Sequence, residues 1–404
     1  MTQVTIARLG HRGDGIADGP IFVPRTLPGE VVEGELDGDR IAAPKIVTPS
    51  PHRVKAPCRH VNSCGGCALQ HASDEFVAGW KVNVVREALA ARGIEANLAG
   101  IETSAPRTRR RATLSVRRTK KGALVGFHAP KSDVITEVPE CHLLHPDLIA
   151  TFPTLRDLAA LGGSRKGEMS VTVTRSDAGP DVSVRDGKPL DRALETALGQ
   201  LAGQQGLARL TWNGEVIATM VPPSQLFGRV RVTPPPGAFL QATQAGEAAL
   251  LATVLDAVDG AKSVVDLFAG SGTFSLPVAE HAHVHAVEGI DAMMTALDAG
   301  WRHAEGLHRV TTETRDLFRR PLLPDELNRF DAAVIDPPRA GAEAQVEEIA
   351  ASNLTRVAMV SCNPVSFARD AGILIRAGFT LGAVKVVDQF RWSTHVEIAA
   401  GLTR

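Results

Sequence analysis

The segment Asp266-Leu267-Phe268-Ala269-Gly270-Ser271-Gly272-Thr273-Phe274 decides the fold of this chain. It follows a short apolar run, and it places two glycines where the next helix opens. Small residues at such a turn let the backbone approach a ligand closely. The glycines do not form the GxGxxG pattern of dinucleotide folds, and no lysine follows to hold phosphates. The loop therefore favours S-adenosylmethionine, which has no phosphate, over NAD or ATP; a glycine turn within a core is the alternative.

The sequence around this loop alternates between helices and short buried strands. A helix is predicted over 247–258, and strands are predicted over 263–268, 283–287, 332–335 and 357–360. Such alternation is typical of a doubly wound parallel sheet, in which ligands bind at the carboxyl ends of the strands. Glu288 ends the second strand, where an acidic residue suits a ribose hydroxyl pair. Asp316 lies between the strands predicted over 283–287 and 332–335 and is expected to face the adenine.

Two residues beyond the loop are candidates for covalent chemistry. Cys362 lies in Val360-Ser-Cys-Asn-Pro364, and Glu397 ends His395-Val-Glu397. C5 of uracil is a poor nucleophile, but thiolate addition to C6 makes it reactive, and a base must then remove the C5 proton. A lone cysteine in a sheet is more often a core residue, and a lone glutamate is usually at the surface. The cofactor loop and the Asn-Pro turn instead favour methyl transfer to C5 of a pyrimidine.

The turn at Asp336-Pro-Pro-Arg339 tests a related chemistry. It resembles the (Asp/Asn)-Pro-Pro-(aromatic) turn of amino-group methyltransferases, which stack the target base on the aromatic residue. Arginine occupies that position here, and this counts against methylation of an amino group.

The first half of the chain predicts two further folding units. Residues 1–52 indicate a small five-stranded β-barrel, a form that often binds nucleic acid. Residues 53–73 hold a cysteine segment, and residues 74–235 comprise a helix followed by a central α+β region. Strands in that region are predicted over 112–116, 124–127, 169–174, 181–184 and 207–212, and Pro234–Gly237 is a plausible linker to the α/β domain over 236–404.

The five cysteines indicate a metal or thiol site. Three of them, Cys58, Cys64 and Cys67, lie within ten residues, and Cys141 is the fourth of the set. An odd count and tight spacing argue against a secreted disulfide framework. Four thiolates suffice for a [4Fe–4S] cluster or a tetrahedral zinc, and the spacing does not decide between them. A structural clamp is a plainer role than redox or radical chemistry, because the spacing is not Cys-x3-Cys-x2-Cys.

Composition limits how the chain meets nucleic acid. With 44% hydrophobic and 22% charged residues the chain is typical of a globular protein, and a net charge of −1 supplies no global basic field. An RNA site must therefore be a local patch. Eight cations without a carboxylate among them predict phosphate contacts: Arg107, Arg109, Arg110, Arg111, Arg117, Arg118, Lys120 and Lys121. No signal peptide or membrane span is recognisable, and a cytoplasmic location is expected.

These motifs together resemble those of the RNA (uracil-5-)-methyltransferases. The resemblance rests on 266–274, 336–341, 360–364 and 395–397. The cysteine spacing is similar to that of the iron–sulfur members that modify 23S ribosomal RNA, and residues 1–52 resemble their OB-like TRAM domain. The resemblance covers nearly the whole chain, but it is weak over 107–233, the expected RNA-binding region.

The resemblance implies a class I methyltransferase domain and a set of site residues. Cys362 would be the nucleophile and Glu397 the base. Six residues would bind S-adenosylmethionine and four a [4Fe–4S] cluster: Gln241, Phe268, Thr273, Glu288, Asp316 and Asp336 for the former, and Cys58, Cys64, Cys67 and Cys141 for the latter. Relatives usually have Asn at the positions of Thr243 and Thr273.

The resemblance favours a monomer acting on RNA, with 23S rRNA as the substrate. The alternatives are a tRNA uracil-C5 methylase, an iron–sulfur redox or radical enzyme that modifies RNA, and a non-catalytic RNA-binding factor.

Overall fold

The computed structural model describes all 404 residues, beginning with a small antiparallel β unit. Its strands are β1 (Thr2–Leu9), β2 (Asp14–Ala17), β3 (Ile21–Pro24), β4 (Val31–Gly34) and β5 (Lys45–Thr48), in the order β3-β2-β1-β4-β5. The segment 39–41 pairs with the free edge of β3, because Phe22 N donates to Asp39 O at 2.8 Å and Ile41 N to Phe22 O at 3.1 Å. The five predicted strands are therefore present around one small apolar core.

The next two elements join the C-terminal half of the molecule. Helix α1 (Asp74–Ala90) begins at Ser73, whose hydroxyl accepts a hydrogen bond from Phe76 N at 3.3 Å, as an N-cap does. Strand β6 (Leu98–Thr103) is the edge strand of the C-terminal sheet. The sequence analysis includes α1 and β6 in the central region over 74–235. In the structure these two elements pack with the sheet of the C-terminal domain instead.

The central region is an α+β unit, as predicted. Its elements are β7 (Arg111–Arg118), β8 (Ala123–His128), β9 (Ile135–Glu137), α2 (Pro146–Ala150), α3 (Phe152–Gly162), β10 (Met169–Ser176), β11 (Gly179–Arg185), α4 (Arg192–Gln204), β12 (Arg209–Trp212) and β13 (Glu215–Thr219). The strands form a seven-stranded sheet in the order β13-β12-β11-β10-β7-β8-β9. Its apolar residues form a core of their own.

A hairpin precedes the α/β domain. Strands β14 (Gln225–Phe227) and β15 (Val230–Val232) pair with each other, and the domain continues with α5 (Gln244–Ala257), β16 (Ser263–Leu267), α6 (Ser275–Val278), β17 (His283–Glu288), α7 (Asp291–Arg302), β18 (Val310–Thr314), α8 (Pro324–Leu327), β19 (Ala332–Ile335), α9 (Glu343–Ala351), β20 (Arg356–Ser361), α10 (Pro364–Arg376), β21 (Thr380–Asp388) and β22 (Glu397–Thr403). The hairpin lies against α7, where a Cβ on Gly300 would stand 2.7 Å from the Val232 side chain.

The sheet of the C-terminal domain, here termed the catalytic sheet, has eight strands in the order β18-β17-β16-β19-β20-β22-β21-β6. The strands β16 to β20 are parallel, as predicted for a Rossmann-like domain, but β22 is antiparallel to both of its neighbours. The sheet is therefore mixed rather than wholly parallel. Since β22 runs in the opposite direction, its first residue lies at the edge where the parallel strands end.

No helix in the structure is both long and apolar enough to cross a membrane.

Candidate active site

The antiparallel strand β22 brings the two catalytic candidates together. Cys362 follows the last residue of β20, and Glu397 is the first residue of β22. In the register of these strands Ser361 is paired with Ile398, so the two candidates are adjacent at one edge of the sheet. Cys362 is half-buried and Glu397 is buried. The predicted pair thus shares one site.

The site is acidic, and its buried carboxyl groups affect the protonation states of Cys362, Glu397 and Asp336 in the ligand-free protein. Burial raises the pKa of the Cys362 thiol to about 11, with Glu397 and Asp336 acting in the same direction and Arg339 opposing them. Burial and the charge of Asp336 raise the pKa of Glu397 to about 8, against a hydrogen bond from Gln389. Burial also raises the pKa of Asp336 to about 7. A cation bound beside these groups would favour their ionised forms.

The glycine-rich loop next to this pair has unused polar groups. Asp266 Oδ1 and Ser271 Oγ are buried and have no hydrogen-bond partner, although Asp266 Oδ2 accepts from Ser275 Oγ at 2.5 Å. Burial raises the pKa of Asp266 to about 7, and Asp336 and Glu288 add to that rise. Buried polar groups are normally satisfied, so the loop fits a polar ligand better than a core turn.

The residues expected to bind a cofactor lie around this loop. Glu288 Oε2 accepts from Gly270 N at 3.1 Å, and Phe268 has a φ of 64°, rare for an aromatic residue. The rings of Phe268 and Phe318 are 5.4 Å apart, and Phe318 is exposed. Asp316 Oδ1 accepts a hydrogen bond from Phe318 N at 3.0 Å, and this bond orients the Asp316 carboxylate.

Three further positions remain from the sequence analysis. Gln241 was expected to bind the cofactor, and Thr243 and Thr273 stand where the resembling family is expected to have Asn. Gln241 is buried and its Nε2 lies 3.5 Å from Asp336 Oδ2. Thr243 caps α5, since its hydroxyl accepts from Gly246 N at 3.0 Å and contacts Ser104 Oγ at 2.6 Å. A threonine is a suitable helix cap, which accounts for that departure. Thr273 is half-buried in the glycine loop, with no side-chain hydrogen bond.

Several residues of the site carried no sequence signal. Gln389 is buried between Gln241 and Ala242, with hydrogen bonds of 2.6 Å and 2.7 Å. Asp266 and Ser271 lay within a recognised motif, but their unpaired atoms are visible only in the fold. A buried glutamine after a strand resembles any other polar residue in sequence, so pattern analysis missed Gln389.

The loop over 389–396, here termed the catalytic loop, is held by the N-terminal half. Lys81 Nζ lies 2.6 Å from Asp388 Oδ1 and 3.2 Å from Phe390 O, and both ionic side chains are buried. Trp392 O accepts from Ala68 N and Leu69 N, each at 2.9 Å. Trp392 has a φ of 59°, so this loop is strained and over-determined by its contacts.

A cleft of about 730 Å³ opens beside the catalytic pair. Cys362, Arg339 and His395 line its inner end, and α1 contributes Phe76 and Trp80 to its wall. The cleft reaches the N-terminal β unit at its other end, so three regions of the chain build it. Aromatic side chains in such a wall offer stacking surfaces for bases.

The four other cysteines line one cavity. Cys58, Cys64, Cys67 and Cys141 share it with apolar residues and with four polar side chains, and no carboxylate takes part; the polar side chains are those of His60, Gln70, Arg109 and His142. No group of three or more His, Cys, Asp or Glu side chains is placed as for a single metal ion.

Two backbone N–H groups beside this cavity lie close to the sulfur atoms of its cysteines. Gly66 N lies 3.4 Å from Cys64 Sγ, and Leu143 N lies 3.5 Å from Cys141 Sγ. Burial raises the pKa of the Cys67 thiol to about 12, and the pKa values of Cys64 and Cys141 are raised as well. N–H donors to sulfur are among the features that tune iron–sulfur clusters.

The basic stretch 107–121 is not the continuous phosphate surface that its composition predicted. Arg110 is buried and pairs with Glu247, and Arg117 pairs with Glu168 at 2.7 Å. Arg109 lies in the wall of the cysteine cavity. The prediction was wrong for Arg110, which is buried, whereas Arg109 and Arg117 are half-buried beside partners that are distant in sequence. Other cations of the stretch remain exposed: Arg107, Lys120 and Lys121.

Comparisons with known proteins identify RNA methyltransferases that are similar to this chain. A model of the family described as tRNA (Uracil-5-)-methyltransferase matches residues 229–404. An uncharacterized RNA methyltransferase of Rhizobium meliloti is 44% identical over 99% of both chains. The 23S rRNA (uracil(1939)-C(5))-methyltransferase RlmD of Pectobacterium atrosepticum is 30% identical over 98% of this chain and 92% of that protein.

A solved structure has the same fold over almost the full length. The tRNA (uracil-54, C5)-methyltransferase of Pyrococcus abyssi, in complex with S-adenosyl-L-homocysteine, aligns with a TM-score of 0.78. The alignment covers 99% of both chains at 21% identity. At that identity the likeness establishes the fold, which is that of a class I methyltransferase.

Proposed function

The chain belongs to the RNA (uracil-5-)-methyltransferase family, and from this premise we propose that it methylates C5 of a specific uridine in RNA through a covalent intermediate. The observation that carries the proposal is the meeting of Cys362 and Glu397 at one edge of the sheet, beside the glycine-rich loop. A nucleophile and a base on opposite sides of one pyrimidine ring are the two groups this chemistry requires.

Cys362 is the nucleophile in this proposal. Its thiolate adds to C6 of uracil, and the electron pair of the C5–C6 bond makes C5 nucleophilic. The thiol of the resting protein is protonated at neutral pH, because burial and the neighbouring carboxylates raise its pKa. Arg339 favours the thiolate, and a cation bound near Asp336 would do the same.

Glu397 is the base that completes the reaction. After methylation C5 carries both the methyl group and its original hydrogen, and the thiolate can leave only when that proton is removed. Glu397 takes the proton, the C5–C6 double bond reforms, and the Cys362 sulfur departs with its electron pair. The raised pKa of Glu397 makes it a stronger base than an ordinary carboxylate.

The groups around the glycine-rich loop fit S-adenosylmethionine. When bound, this cofactor supplies an electrophilic methyl group on a positively charged sulfur. The unpaired Asp266 Oδ1 and Ser271 Oγ, together with Glu288, provide polar partners. The carboxylate of Asp336 and the amide of Gln241 complete the set on the side of the catalytic pair.

We further propose that the four-cysteine cavity holds a [4Fe–4S] cluster. Cys58, Cys64, Cys67 and Cys141 would be its ligands, and the backbone N–H groups and Arg109 would offset the charge of the thiolates. The role is structural, because residues directly after Cys67 hold the catalytic loop through Trp392 O.

The favoured substrate is 23S rRNA. The similarity to RlmD extends over nearly the full length of both proteins and supports this choice. A tRNA substrate is the second candidate, and the likeness to the Pyrococcus abyssi enzyme and the description of the matching family favour it. That the chain is a cytoplasmic monomer stays a prediction.

A second groove supports RNA binding outside the cleft. It runs between the N-terminal β unit, the cysteine segment and the β8–β9 loop, and it meets the catalytic cleft at His11. Three of its arginines have partners: Arg40 pairs with Asp14, Arg53 with Glu30, and Arg25 with Asn62. Arg12 and Lys131 have no acidic partner and are exposed. We propose this groove, rather than the stretch 107–121, as the phosphate track.

The proposal is tested by nucleoside analysis of a strain that lacks this gene. Separated 23S rRNA and tRNA should be compared with wild type for loss of 5-methyluridine at one position. Purified protein with S-adenosylmethionine should restore the modification in the deficient RNA. Loss from tRNA alone would select the second candidate, and unchanged 5-methyluridine in both RNAs would contradict the function.

A further inference from the structure

One face of α1 presents aromatic side chains to the catalytic cleft. Phe76 and Trp80 are four residues apart, which makes them neighbours on the surface of the helix. Both line the cleft that Cys362 lines, and each is half-buried, so part of each ring is open to the cleft. The chemical steps described above use neither ring.

Both rings are held in place by the N-terminal part of the chain. Trp80 Nε1 donates to Leu9 O at 3.4 Å, and this bond uses the only hydrogen-bond donor of the indole. The ring of Phe76 lies 5.1 Å from that of His52, with 31° between the ring planes. Phe76 and Trp80 also pack against a small apolar cluster that contains Leu9. Because the rings are ordered in advance, a ligand that stacks on them loses little free energy in ordering them.

Gly79 exposes the helix backbone in the same wall of the cleft. Glycine in the middle of a helix is less favourable than alanine. A Cβ added at Gly79 would meet no atom within 4 Å, so packing inside the protein does not require glycine there. The residue has no positive φ, so its conformation does not require glycine either. What glycine provides at this position is room for a flat group to approach α1 closely.

The opposite face of α1 fixes the position of the helix. Lys81, Val85 and Leu89 are buried on that face. Lys81 Nζ lies 2.6 Å from Asp388 Oδ1, and Val85 and Leu89 belong to the apolar core beneath the catalytic sheet. The aromatic face is therefore held at a fixed position relative to the strands that end beside Cys362.

The surroundings of this face indicate which group it binds. Cys362 lies in the same cleft, so RNA that brings its target uridine to this thiol must enter the cleft. The exposed cations Arg8 and Arg339 line the cleft and form no ion pair, and they suit phosphates. The acids of the wall are Glu75 and Glu87, which are exposed on α1 itself. Their charges repel phosphate, so the aromatic face suits the uncharged ring of a base.

Resting on the function proposed above, we propose that Phe76, Gly79 and Trp80 form a binding site for one unpaired RNA base that neighbours the target uridine. The base stacks on the indole of Trp80 and lies over the backbone at Gly79. The target uridine has to leave its own stack to reach Cys362. Stacking of its neighbour on a protein ring offsets the stacking lost in that step. Because every base has an aromatic face, the site selects unpaired RNA rather than one particular base.

The first test uses a single-stranded oligouridylate that carries one 2-aminopurine, whose fluorescence is quenched by stacking on an aromatic ring. Wild-type protein should quench this fluorescence. Trp80→Leu keeps an apolar side chain but removes the ring, so it should lose the quenching and weaken binding about five- to a hundredfold, the range for one lost base stack. The salt slope of binding should not change, because no phosphate contact is lost. Trp80→Phe keeps a ring and should retain most of the quenching and the affinity.

Gly79→Ala separates binding of a base from packing within the protein. The added methyl group should raise the melting temperature by about one or two degrees, because alanine favours a helix. The same methyl group should weaken binding of the 2-aminopurine oligouridylate, since it occupies the space above α1. Gly199→Ala is the matched control: Gly199 lies in the middle of α4, its added Cβ would also meet no atom within 4 Å, and it does not line the cleft. The control should raise the melting temperature as much and leave binding unchanged.

The enzymatic measurement uses RNA from the deletion strain and labelled S-adenosylmethionine. In Trp80→Leu and Gly79→Ala the KM for RNA should rise by a larger factor than the turnover rate at saturating RNA falls, because the site binds RNA and does not take part in the chemical steps. Loss of folding would instead lower the amount of active protein without raising KM.

The outcomes separate this inference from the function on which it rests. Unchanged quenching, affinity and KM in folded Trp80→Leu and Gly79→Ala would overturn the inference and leave the aromatic face with a packing role alone. If Trp80→Leu does not fold, Gly79→Ala decides, since no atom lies near its added Cβ. Wild-type protein that quenches the oligouridylate but methylates no RNA from the deletion strain would contradict the proposed function and support the base-binding site.

Discussion

Two regions of this molecule bury thiols, and different groups surround the thiols in each. Cys362 stands beside Glu397 and Asp336, and the amide of Gln241 lies 3.5 Å from the Asp336 carboxylate. The four cysteines of the cavity are surrounded by apolar residues, two histidines, Gln70 and Arg109, with no carboxylate among the lining residues. Burial raises thiol pKa values in both places. The roles proposed for these thiols, covalent catalysis and ligation, therefore rest on the neighbouring groups rather than on the cysteines themselves.

The two regions are also joined physically. The guanidinium of Arg109, which lines the cavity, lies 5.7 Å from the ring of Phe390 in the catalytic loop. That ring contacts the ring of His395 at 5.8 Å, edge to face. The cysteine segment reaches the same loop through Trp392 O. A change in the cavity is therefore expected to reach Glu397 through the catalytic loop, whereas a change at Cys362 is expected to leave the cavity intact.

The largest expected effect is that of Cys362→Ala. Removing a nucleophile that acts in every turnover should lower methylation by about three orders of magnitude or more. The protein should still bind S-adenosylhomocysteine and should retain the cysteine centre, because Cys362 does not line the cavity. Methyl transfer and ligand binding are measured separately. Substantial turnover in this variant would refute the covalent mechanism and with it the contrast between the two regions.

Glu397→Gln should be the next most damaging change. The variant should form the methylated adduct but release it about a hundredfold or more slowly, the range of a general base. A denaturation-resistant protein–RNA complex should then accumulate on gels, and the double variant with Cys362→Ala should not form it. Normal release would assign the proton to another group.

The cavity is tested by Cys141→Ser. Protein purified without oxygen should be brown, with about four irons per chain for one cubane cluster, and this substitution should reduce the iron content and the melting temperature. Chemical reduction should leave the activity of the wild-type protein unchanged, unlike that of a redox or radical enzyme. Colourless, fully active protein with one bound zinc would refute the cluster.

The acidic character of the catalytic region predicts an unusual pH dependence of stability. The pKa of Asp336 is raised from 3.8 to about 7, so between these values the folded state binds more protons than the unfolded state. This contribution to stability is fully present below the lower value and is lost as pH rises through the higher one. As the pH rises over this range, the melting temperature of the ligand-free Asp336→Asn protein should therefore fall by a few °C less than that of the wild-type protein.

Asp331, a carboxylate outside the site, should change the stability with pH in the opposite direction. Burial alone would raise the pKa of Asp331, but hydrogen bonds from Lys262 N and Ser263 N lower it. Its contribution is present at neutral pH and is lost as pH falls through its folded pKa. The difference in melting temperature between Asp331→Asn and wild type should shrink in acid. The same trend in both variants would contradict the assignment of Asp336 as a destabilised carboxylate.

The smallest expected effect concerns RNA phosphates. The double variant Arg12→Ala, Lys131→Ala should weaken RNA binding and reduce its salt slope by up to about one logarithmic unit per contact. Lys120→Ala with Lys121→Ala is the matched control in the stretch 107–121, and it should change the slope less. The turnover rate at saturating RNA should change little in either pair. A larger effect in the control would return the phosphate track to that stretch.

Much of the fold was predictable because local patterns and burial agree. Apolar runs located four of the eight strands of the catalytic sheet, β16, β17, β19 and β20, and five of the seven strands of the central region. The spacing of apolar residues located α1, which ends at Ala90. The insertion of β22 between β20 and β21 was not predicted, because strand order depends on contacts between distant segments. Strand β6 was assigned to the wrong unit for the same reason.

The sequence by itself determined the chemistry available to this protein: a glycine-rich loop, one isolated cysteine, a glutamate near the end of the chain, and four further cysteines. Only the tertiary structure decided how they act. It turned Arg110 from an apparent phosphate ligand into a buried partner of Glu247, and it placed Gln389 against Gln241, whose amide lies 3.5 Å from Asp336. The physical reason is that residue type fixes which bonds a group can make, whereas burial and distant neighbours fix which of them it does make.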